Sequence, residues 1–395
     1  MNTFGKVQIS QNSGFDVRKA IELANLVSIA YNEYEVWDKI GSLQERGNPP
    51  RRVPVPPLPD TIIGSSAFIR LESDNREKFA VNQDNPDYQK LNQYWQQKPE
   101  RIEEYDRLYD FWFPQWWWAD LLNSNSLRNL LNTDITDILQ NLGRLVSRDQ
   151  IFGFIARSKT NPDRFFIVLR GTREGAEWFN NFRPVPKVFL DEANLGEVRN
   201  GFNLIYTRNR EGIDLDRILG IARPFSIKET IQKFAKEHLT DRSEILITGH
   251  SLGAALATLA ACHLHAIAVA ENLTPSIDLY TIASPRVGDE TFAEIFKNPR
   301  VPLRSYRVFN SEDLVPSVPF PTTSILDEES LRGMSPSSRA RFLGLRAFLE
   351  TLTGGQSDKK YEHIGIPIAF TTQTGTIAGN HNLTKTYREA LNLEE

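Results

Sequence analysis

The sequence predicts an α/β fold with a mostly parallel central sheet and helices on both faces. From residue 151 onward, short β-rich runs alternate with helical stretches, which is typical of parallel strands joined by crossover helices. Residues 16–37 carry apolar side chains at the spacing of an amphipathic helix, so a helix beginning near Asp16 is expected to pack on the sheet. The strand candidates are residues 152–156, 165–169, 244–248, 277–282, 305–309 and 366–371.

The chain divides into three predicted parts. Residues 1–44 contain the early helix, residues 45–145 form an insertion, and residues 146–395 form the core that contains the sheet. Six prolines between Pro49 and Pro59 favour an extended connector, with a ligand for a proline-reading domain as the alternative. Residues 85–125 are rich in Gln, Asn, Tyr and Trp. We therefore expect an N-terminal helical and aromatic insertion that is a candidate cover for the core.

Composition argues against several classes of function. Lys and Arg total 46 against 50 for Asp and Glu, so the chain lacks the basic field that nucleic acid binding needs. Cys262 is the only cysteine, which rules out an intrachain disulfide and favours a reducing compartment. Neither a secretory signal nor a transmembrane segment is expected. The prediction is a cytoplasmic protein without a cofactor or metal, with peripheral membrane contact and protein partners left open.

A five-residue motif points to nucleophilic catalysis. Residues 249–253 read Gly-His-Ser-Leu-Gly, the form G-x-S-x-G, with an apolar run before them and a strong helix former after them. Such a strand-to-helix turn holds its serine in strained geometry at the carboxyl edge of the sheet, beside free N–H groups that can stabilise an oxyanion. The context predicts the α/β-hydrolase fold, with Ser251 as nucleophile and Leu252 as an oxyanion donor. The alternative is a glycine-flanked turn with an idle serine.

A serine hydroxyl becomes a nucleophile only beside a base and an orienting carboxylate. In α/β-hydrolases the base is a histidine in the loop after the last strand. His381 follows the strand predicted at 366–371, whereas His363 precedes it and is expected to have a structural role. His250 is expected to point away from Ser251. The other histidines are poorly placed: His238, His263 and His265.

Two carboxylates follow the strand predicted at 305–309, where a side chain can reach the far side of the imidazole. Asp313 is the choice for the acid and Glu312 is the fallback. Asp289 follows the preceding strand and is expected to cap a helix that begins near Glu290.

Several segments resemble the fungal-type lipases, also called class 3 lipases. Residues 249–259 are similar to the family's nucleophile region, and residues 166–172, 196–202 and 280–289 are similar to other segments of the family in the same order. The resemblance covers residues 151–320 well and residues 360–395 loosely. It implies the α/β-hydrolase fold, the triad Ser251, Asp313 and His381, and Thr172 as a second oxyanion donor.

The resemblance implies hydrolysis of lipid-like carboxylic esters, such as acylglycerols, phospholipids or galactolipids, through an acyl-enzyme. One alternative is a soluble carboxylesterase for short or aromatic esters. An alternative of another class is a non-catalytic scaffold or binding protein on a hydrolase fold, which would not need all three triad residues together.

Lipid hydrolysis requires an apolar cleft and usually a mobile cover. The resembling family has its lid at residues 177–190, and residues 105–122 and 335–352 are further candidates. Three adjacent tryptophans cannot share one buried helix face, so at least one is expected to meet solvent, a cover or a bilayer interface. Packing between insertion and core is the alternative. The substrate or cover candidates are Trp178, Phe182, Trp116, Trp117 and Trp118.

Overall fold

A computed structural model gives the architecture of several stretches of the chain. It describes residues 3–4, 14–44, 61–63, 104–114, 149–171, 186–207, 226–317 and 361–392. The strands are β1 (Thr3–Phe4), β2 (Thr61–Ile63), β3 (Glu104–Pro114), β4 (Asp149–Ser158), β5 (Arg164–Leu169), β6 (Pro186–Val188), β7 (Glu197–Arg199), β8 (Glu244–His250), β9 (Ser276–Ile282), β10 (Leu303–Asn310), β11 (Ile366–Phe370) and β12 (Thr372–Gln373). The helices are α1 (Val17–Gln44), α2 (Asn200–Thr207), α3 (Ile227–His238), α4 (Leu252–Ala270), α5 (Glu290–Lys297), α6 (Ile377–Asn380) and α7 (Arg388–Asn392).

One eight-stranded sheet organises the described residues. Its order is β11-β10-β9-β8-β5-β4-β3-β2. The five strands from β11 to β5 run parallel to their neighbours, and the remaining three pair antiparallel. Each of the six predicted strands is present as β4, β5, β8, β9, β10 or β11. The predicted α/β-hydrolase fold, with its mostly parallel sheet, is confirmed.

Helices cover both faces of the sheet, as predicted. Strand β5 shows why, because its side chains alternate between two apolar layers. Phe166 and Val168 pack with residues of α1 and α7 on one face. Ile167 and Leu169 pack with residues of α2, α3, α4 and α5 on the other face. A strand that is apolar on both sides belongs in the middle of a sheet covered twice.

The two predicted helix starts are confirmed by their caps. The carboxylate of Asp16 accepts hydrogen bonds from the backbone nitrogens of Arg18 at 3.0 Å and Lys19 at 3.2 Å, at the start of α1. The carboxylate of Asp289 accepts from the backbone nitrogen of Phe292 at 2.9 Å, at the start of α5. Each acid supplies an acceptor to N–H groups that have no partner inside the helix.

Part of the predicted insertion belongs to the sheet. Residues 105–122 are one cover candidate in the sequence, where helical spacing is assumed for their tryptophans, but residues 104–114 are strand β3, paired antiparallel with β4. Tyr105 packs on Phe166 with ring centroids 4.9 Å apart, and Phe111 is buried in the opposite apolar layer. Residues an even number apart face the same side of a regular strand, so the register shift between Arg107 and Tyr109 places the two rings in different layers. The division at residues 44 and 145 stays a prediction.

Buried charges hold α1 against β3. Arg107 forms ion pairs with Glu33 of α1 and with Asp110, and its guanidinium lies 5.0 Å from the centroid of the Phe154 ring. Burial raises the pKa of the Glu33 carboxyl, and the Arg107 charge acts in the opposite direction. Glu33 therefore depends on Arg107 to keep its charge.

Replacing Arg107 with leucine is expected to lower the free energy of unfolding by about 3–5 kcal/mol, because Glu33 would remain buried without its guanidinium. The double variant Glu33→Leu/Arg107→Leu should recover most of that loss, since apolar groups would replace the whole pair. Urea unfolding of the three proteins measures both effects. A double variant no more stable than the single one would contradict the inference that Arg107 compensates the buried charge of Glu33 where α1 packs on β3.

Candidate active site

The turn between β8 and α4 has the strained geometry that the motif predicts. Ser251 has φ 59° and ψ −124°, a left-handed conformation that is costly for any residue except glycine. Its backbone nitrogen donates to the carbonyl of Ile282 at 3.0 Å, and its carbonyl accepts from the nitrogen of Ala254 at 3.0 Å. The Ser251 side chain makes no capping hydrogen bond to α4. The hydroxyl is thus not consumed by the helix that it precedes.

Both glycines of the motif are required by close backbone approach. A Cβ atom on Gly249 would lie 2.3 Å from the carbonyl oxygen of Gly253. A Cβ atom on Gly253 would lie 2.3 Å from the carbonyl oxygens of Leu169 and Arg170. The turn is therefore in direct contact with the end of β5, and any side chain there would force the two apart.

Helix α4 begins directly after Ser251 and points its N-terminus at the site. The first N–H groups of a helix have no partner within it, and they favour negative charge. Leu252, the first residue of α4, is buried beside Ser251.

Among the helices of the described stretches, α4 alone has the length and apolar composition of a membrane span, and 83% of that stretch is buried inside the protein.

Asp313 and His381 meet in a buried pair. Nδ1 of His381 lies 2.7 Å from Oδ2 of Asp313, although the two residues are 68 positions apart. Asp313 is 3% exposed and His381 is 9% exposed. Glu312, the fallback acid, is exposed, and its backbone nitrogen donates to the side chain of Asn310. Of the two candidate acids, the structure brings Asp313 to the histidine.

His363, the other candidate base, precedes β11. Burial, then the charges of Arg307 and Arg286, lower the pKa of His363 to about 2. A ring kept neutral among arginines fits the structural role expected for it and is poorly suited to accept a proton.

Two further groups hold the carboxylate of Asp313. The hydroxyl of Tyr387 donates to Oδ2 at 2.6 Å, so this oxygen binds both Tyr387 and His381. The backbone nitrogen of Val315 donates to Oδ1 at 3.0 Å. Burial, then the charge of Asp313, raise the pKa of Tyr387 well above its usual value, so the phenol remains a donor. The sequence does not predict this role for Tyr387.

Two buried asparagines form hydrogen bonds between the segment at the end of β10, here called the Asp313 loop, and the segment after β11, here called the His381 loop. The side-chain nitrogen of Asn310 donates to the carbonyls of Thr372 at 2.9 Å and Asn380 at 3.2 Å. The side-chain nitrogen of Asn380 donates to the carbonyl of Glu312 at 3.0 Å. Each asparagine thus crosses from one loop to the other, and the acid and histidine are positioned as a unit.

Replacing Tyr387 with phenylalanine is expected to lower kcat about tenfold and the free energy of unfolding by about 1.5–3 kcal/mol, because a buried carboxylate loses a charge-assisted hydrogen bond. Steady-state kinetics and urea unfolding measure the two effects. Tyr306→Phe is a matched control, since its hydroxyl donates at 2.9 Å to the carbonyl of Gly14, on a segment that precedes α1. A Tyr387→Phe protein as active as Tyr306→Phe would contradict the positioning of Asp313.

His250 brings the His381 loop against the turn that contains Ser251. Nε2 of His250 lies 3.0 Å from the carbonyl oxygen of His381, and the two ring centroids are 4.7 Å apart. The motif predicts only that His250 points away from Ser251 and indicates no role for it. Its contacts with His381 show that it is part of the site's framework.

The loop after β5 also lies close to Ser251. Arg170 is buried, and its Nη1 donates to the carbonyl of Gly171 at 2.8 Å while its Nε donates to the carbonyl of Ile151 at 2.8 Å. A Cβ atom on Gly171 would lie 2.9 Å from Cβ of Ser251. The last described residue of this loop is therefore in contact with the candidate nucleophile.

Several predicted site residues lie outside the described residues, and their roles stay predictions. They are Thr172, Trp178, Phe182, Trp116, Trp117 and Trp118. Within the described stretches, no group of three or more His, Cys, Asp or Glu side chains is arranged to hold a metal ion.

Comparison with known proteins confirms the family resemblance. Residues 166–323 match the class 3 lipase family. This span includes Ser251 and Asp313, and His381 lies beyond it.

Two plant proteins and one solved structure illustrate the similarity. Phospholipase A1-II 7 of Oryza sativa subsp. indica is 30% identical over 203 residues, 47% of this chain and 48% of that protein. The chloroplastic phospholipase A(1) DAD1 of Arabidopsis thaliana is 30% identical over 162 residues, 39% of this chain and 33% of that protein. The native Rhizomucor miehei lipase propeptide complex is 27% identical, with 42% of this chain and 47% of that chain covered and a TM-score of 0.31. The chain spans about half the length of these relatives or less.

Proposed function

We propose that this chain, whose residues 166–323 match the class 3 lipase family, is a serine hydrolase of lipid-like carboxylic esters. Ser251 is the nucleophile, His381 the general base and acid, and Asp313 the residue that orients His381. Leu252 and Thr172 supply the N–H groups that bind the oxyanion. The observation that carries the proposal is the buried Asp313–His381 hydrogen bond, whose histidine backbone contacts His250, the residue directly before the serine on the strained turn.

The proposed reaction proceeds through an acyl-enzyme. The Ser251 hydroxyl attacks the ester carbonyl carbon while Nε2 of His381 takes its proton, and the tetrahedral oxyanion forms at the N-terminus of α4. His381 then gives the proton to the departing alcohol. Water attacks the acyl-enzyme by the same route and releases the acid. Asp313 holds the proton on Nδ1 throughout, so Nε2 faces the serine as an acceptor and the imidazolium is stabilised when it forms.

Phospholipids are the proposed substrate class. The matched plant relatives bear the name phospholipase A1, which supports an acyl ester of a glycerophospholipid as the bond cleaved. Acylglycerols and galactolipids share that ester chemistry. Residues 177–190, with Trp178 and Phe182, and the tryptophans at 116–118 remain the proposed cover and interfacial contacts.

Incubation with vesicles of mixed phospholipid, galactolipid and triacylglycerol tests this proposal. Mass spectrometry of the products is expected to show free fatty acid and lysophospholipid in equal amounts, since one ester bond is cleaved per turnover. Short soluble esters at equal concentration should react more slowly. Fast hydrolysis of soluble esters with intact vesicles would favour the carboxylesterase alternative, and no turnover of any ester would favour the scaffold alternative.

We also propose a cytoplasmic location with peripheral contact to membranes. Two of the Arabidopsis relatives have chloroplastic in their names, which makes a plastid the alternative to exclude. Fractionation of cells should recover the protein in the soluble fraction, with any membrane-bound part released by salt.

A further inference from the structure

Two side chains that take no direct part in the proposed chemistry connect the loop after β5 with the segment that contains His381. Tyr31 lies on α1, and His250 is the last residue of β8. The Tyr31 hydroxyl oxygen lies 2.9 Å from the backbone nitrogen of Gly171 and 2.9 Å from Nδ1 of His250. Nε2 of His250 lies 3.0 Å from the carbonyl oxygen of His381. These hydrogen bonds run without interruption from the loop after β5 to the His381 loop.

Chemistry gives each of these hydrogen bonds a direction. Burial, then the neighbouring His381 ring, hold the pKa of His250 well below its usual value, so the ring is neutral and has a single N–H. A carbonyl only accepts, so the N–H is on Nε2 and donates to His381, which leaves Nδ1 as an acceptor. Burial raises the pKa of Tyr31, so its hydroxyl donates to Nδ1 while its oxygen accepts from Gly171.

We propose that Tyr31 and His250 are positioning residues, here called the Tyr31–His250 relay. They fix the position of the loop after β5, which begins at Arg170 and is proposed to supply an oxyanion donor, relative to His381, the proposed general base. The inference rests on the proposed function, because it concerns the geometry of that same site. Two loops that are joined by the same series of hydrogen bonds are restrained relative to each other. A displacement of about 1 Å in an active site can lower the reaction rate about 100-fold.

The packing around Gly171 makes the relay tight. A Cβ atom on Gly171 would lie 2.5 Å from the Tyr31 hydroxyl oxygen and 2.7 Å from the carbonyl oxygen of His250. Its N–H is used by Tyr31, so an oxyanion donor on this loop has to come from the peptide that follows. Arg170 donates a hydrogen bond to the carbonyl of Gly171 at 2.8 Å. Tyr31 and Arg170 therefore hold the two sides of one residue.

The chain contains a matched control pair. The hydroxyl oxygen of Tyr206 lies 2.9 Å from Nδ1 of His263, and the two ring centroids are 5.9 Å apart. The hydroxyl of Tyr31 and the ring of His250 are separated by the same two distances. Tyr206 belongs to α2 and His263 to α4, and Tyr206 packs in the apolar layer opposite the one that contains α1. Removing the Tyr206 hydroxyl changes the same chemistry without touching either loop of the site.

Kinetics of variants test the relay. Tyr31→Phe is expected to lower kcat about tenfold with KM changed less than about twofold, whereas Tyr206→Phe should leave kcat unchanged. His250→Phe should lower kcat about 100-fold, and His250→Gln, which retains a donor and an acceptor, should recover at least a tenth of the wild-type rate. Equal losses at positions 31 and 206, or equal losses for Phe and Gln at position 250, would overturn the relay.

Nitrogen-15 spectra of the histidine rings test the relay independently of turnover and of variant folding. In the folded wild type at pH 8, His250 is expected to have a protonated Nε2 and an unprotonated Nδ1. Tyr31→Phe should shift the resonances of His250 and His381 and leave those of His263 in place. A proton on Nδ1 of His250 would overturn the relay. A wild-type protein with the expected spectrum that cleaves no ester would overturn the proposed function alone.

Discussion

Replacing Ser251 with alanine is expected to lower kcat for ester hydrolysis by on the order of 10⁶, as the loss of a nucleophile does in other triads. The substitution removes the attacking oxygen and leaves His381 with no proton to take. The fold should tolerate it, because alanine, like serine, has a Cβ atom at the left-handed φ of 59°, and no capping hydrogen bond of the serine side chain is lost. Measured kcat should fall while the unfolding midpoint stays near that of the wild type.

A fluorophosphonate probe gives the same prediction a covalent readout. The folded wild-type protein should form one adduct, located on Ser251 by peptide mass spectrometry, and Ser251→Ala should form none. Ser305→Ala is the matched control, since Ser305 is a buried serine on β10 and should leave both labelling and kcat unchanged. An unlabelled wild-type protein would count against a serine nucleophile.

The parts of the fold that the sequence predicts are those encoded locally. Strand β8 before the turn at Ser251 is an apolar run, the segment after it is a run of strong helix formers, and Asp16 and Asp289 stand directly before the helices that they cap. Strand β3 was not recognised because its place in the sheet depends on antiparallel pairing with β4, about 40 residues later, and two register shifts disturb its alternation.

The contact between Asp313 and His381 was expected from the sequence, but the residues that hold it were not. Ser251, Asp313 and His381 each follow a strand, which predicts that they lie at one edge of the sheet, and the structure brings Asp313 and His381 into contact. Tyr31 and His250 are 219 positions apart and Tyr387 and Asp313 are 74 apart. A tyrosine in an apolar stripe shows no sign of where its hydroxyl points, so such contacts emerge only when α1 and the C-terminal helices are packed on the sheet.

Replacing Asp313 with asparagine is expected to lower kcat by about 10⁴ with little change in KM, by analogy with other triads. The structure indicates why the amide would be harmful. Oδ1 accepts from the backbone nitrogen of Val315, so the asparagine oxygen is expected to occupy that position. Its NH₂ group would then face Nδ1 of His381 and donate to it. The imidazole proton would move to Nε2, where it blocks acceptance of the serine proton, and the negative charge that stabilises the imidazolium would be gone.

Glu312→Gln is the matched control for this substitution, because it makes the same chemical change at the adjacent, exposed carboxylate. It should leave kcat within about twofold of the wild type, as expected for an exposed side chain outside the site. The opposite result, a large loss of kcat for the Glu312 variant and none for the Asp313 variant, would show that Asp313 is not the acid. Equal small losses at both would mean that the base needs no carboxylate to orient it, and the buried contact at 2.7 Å between Asp313 and His381 would then be structural.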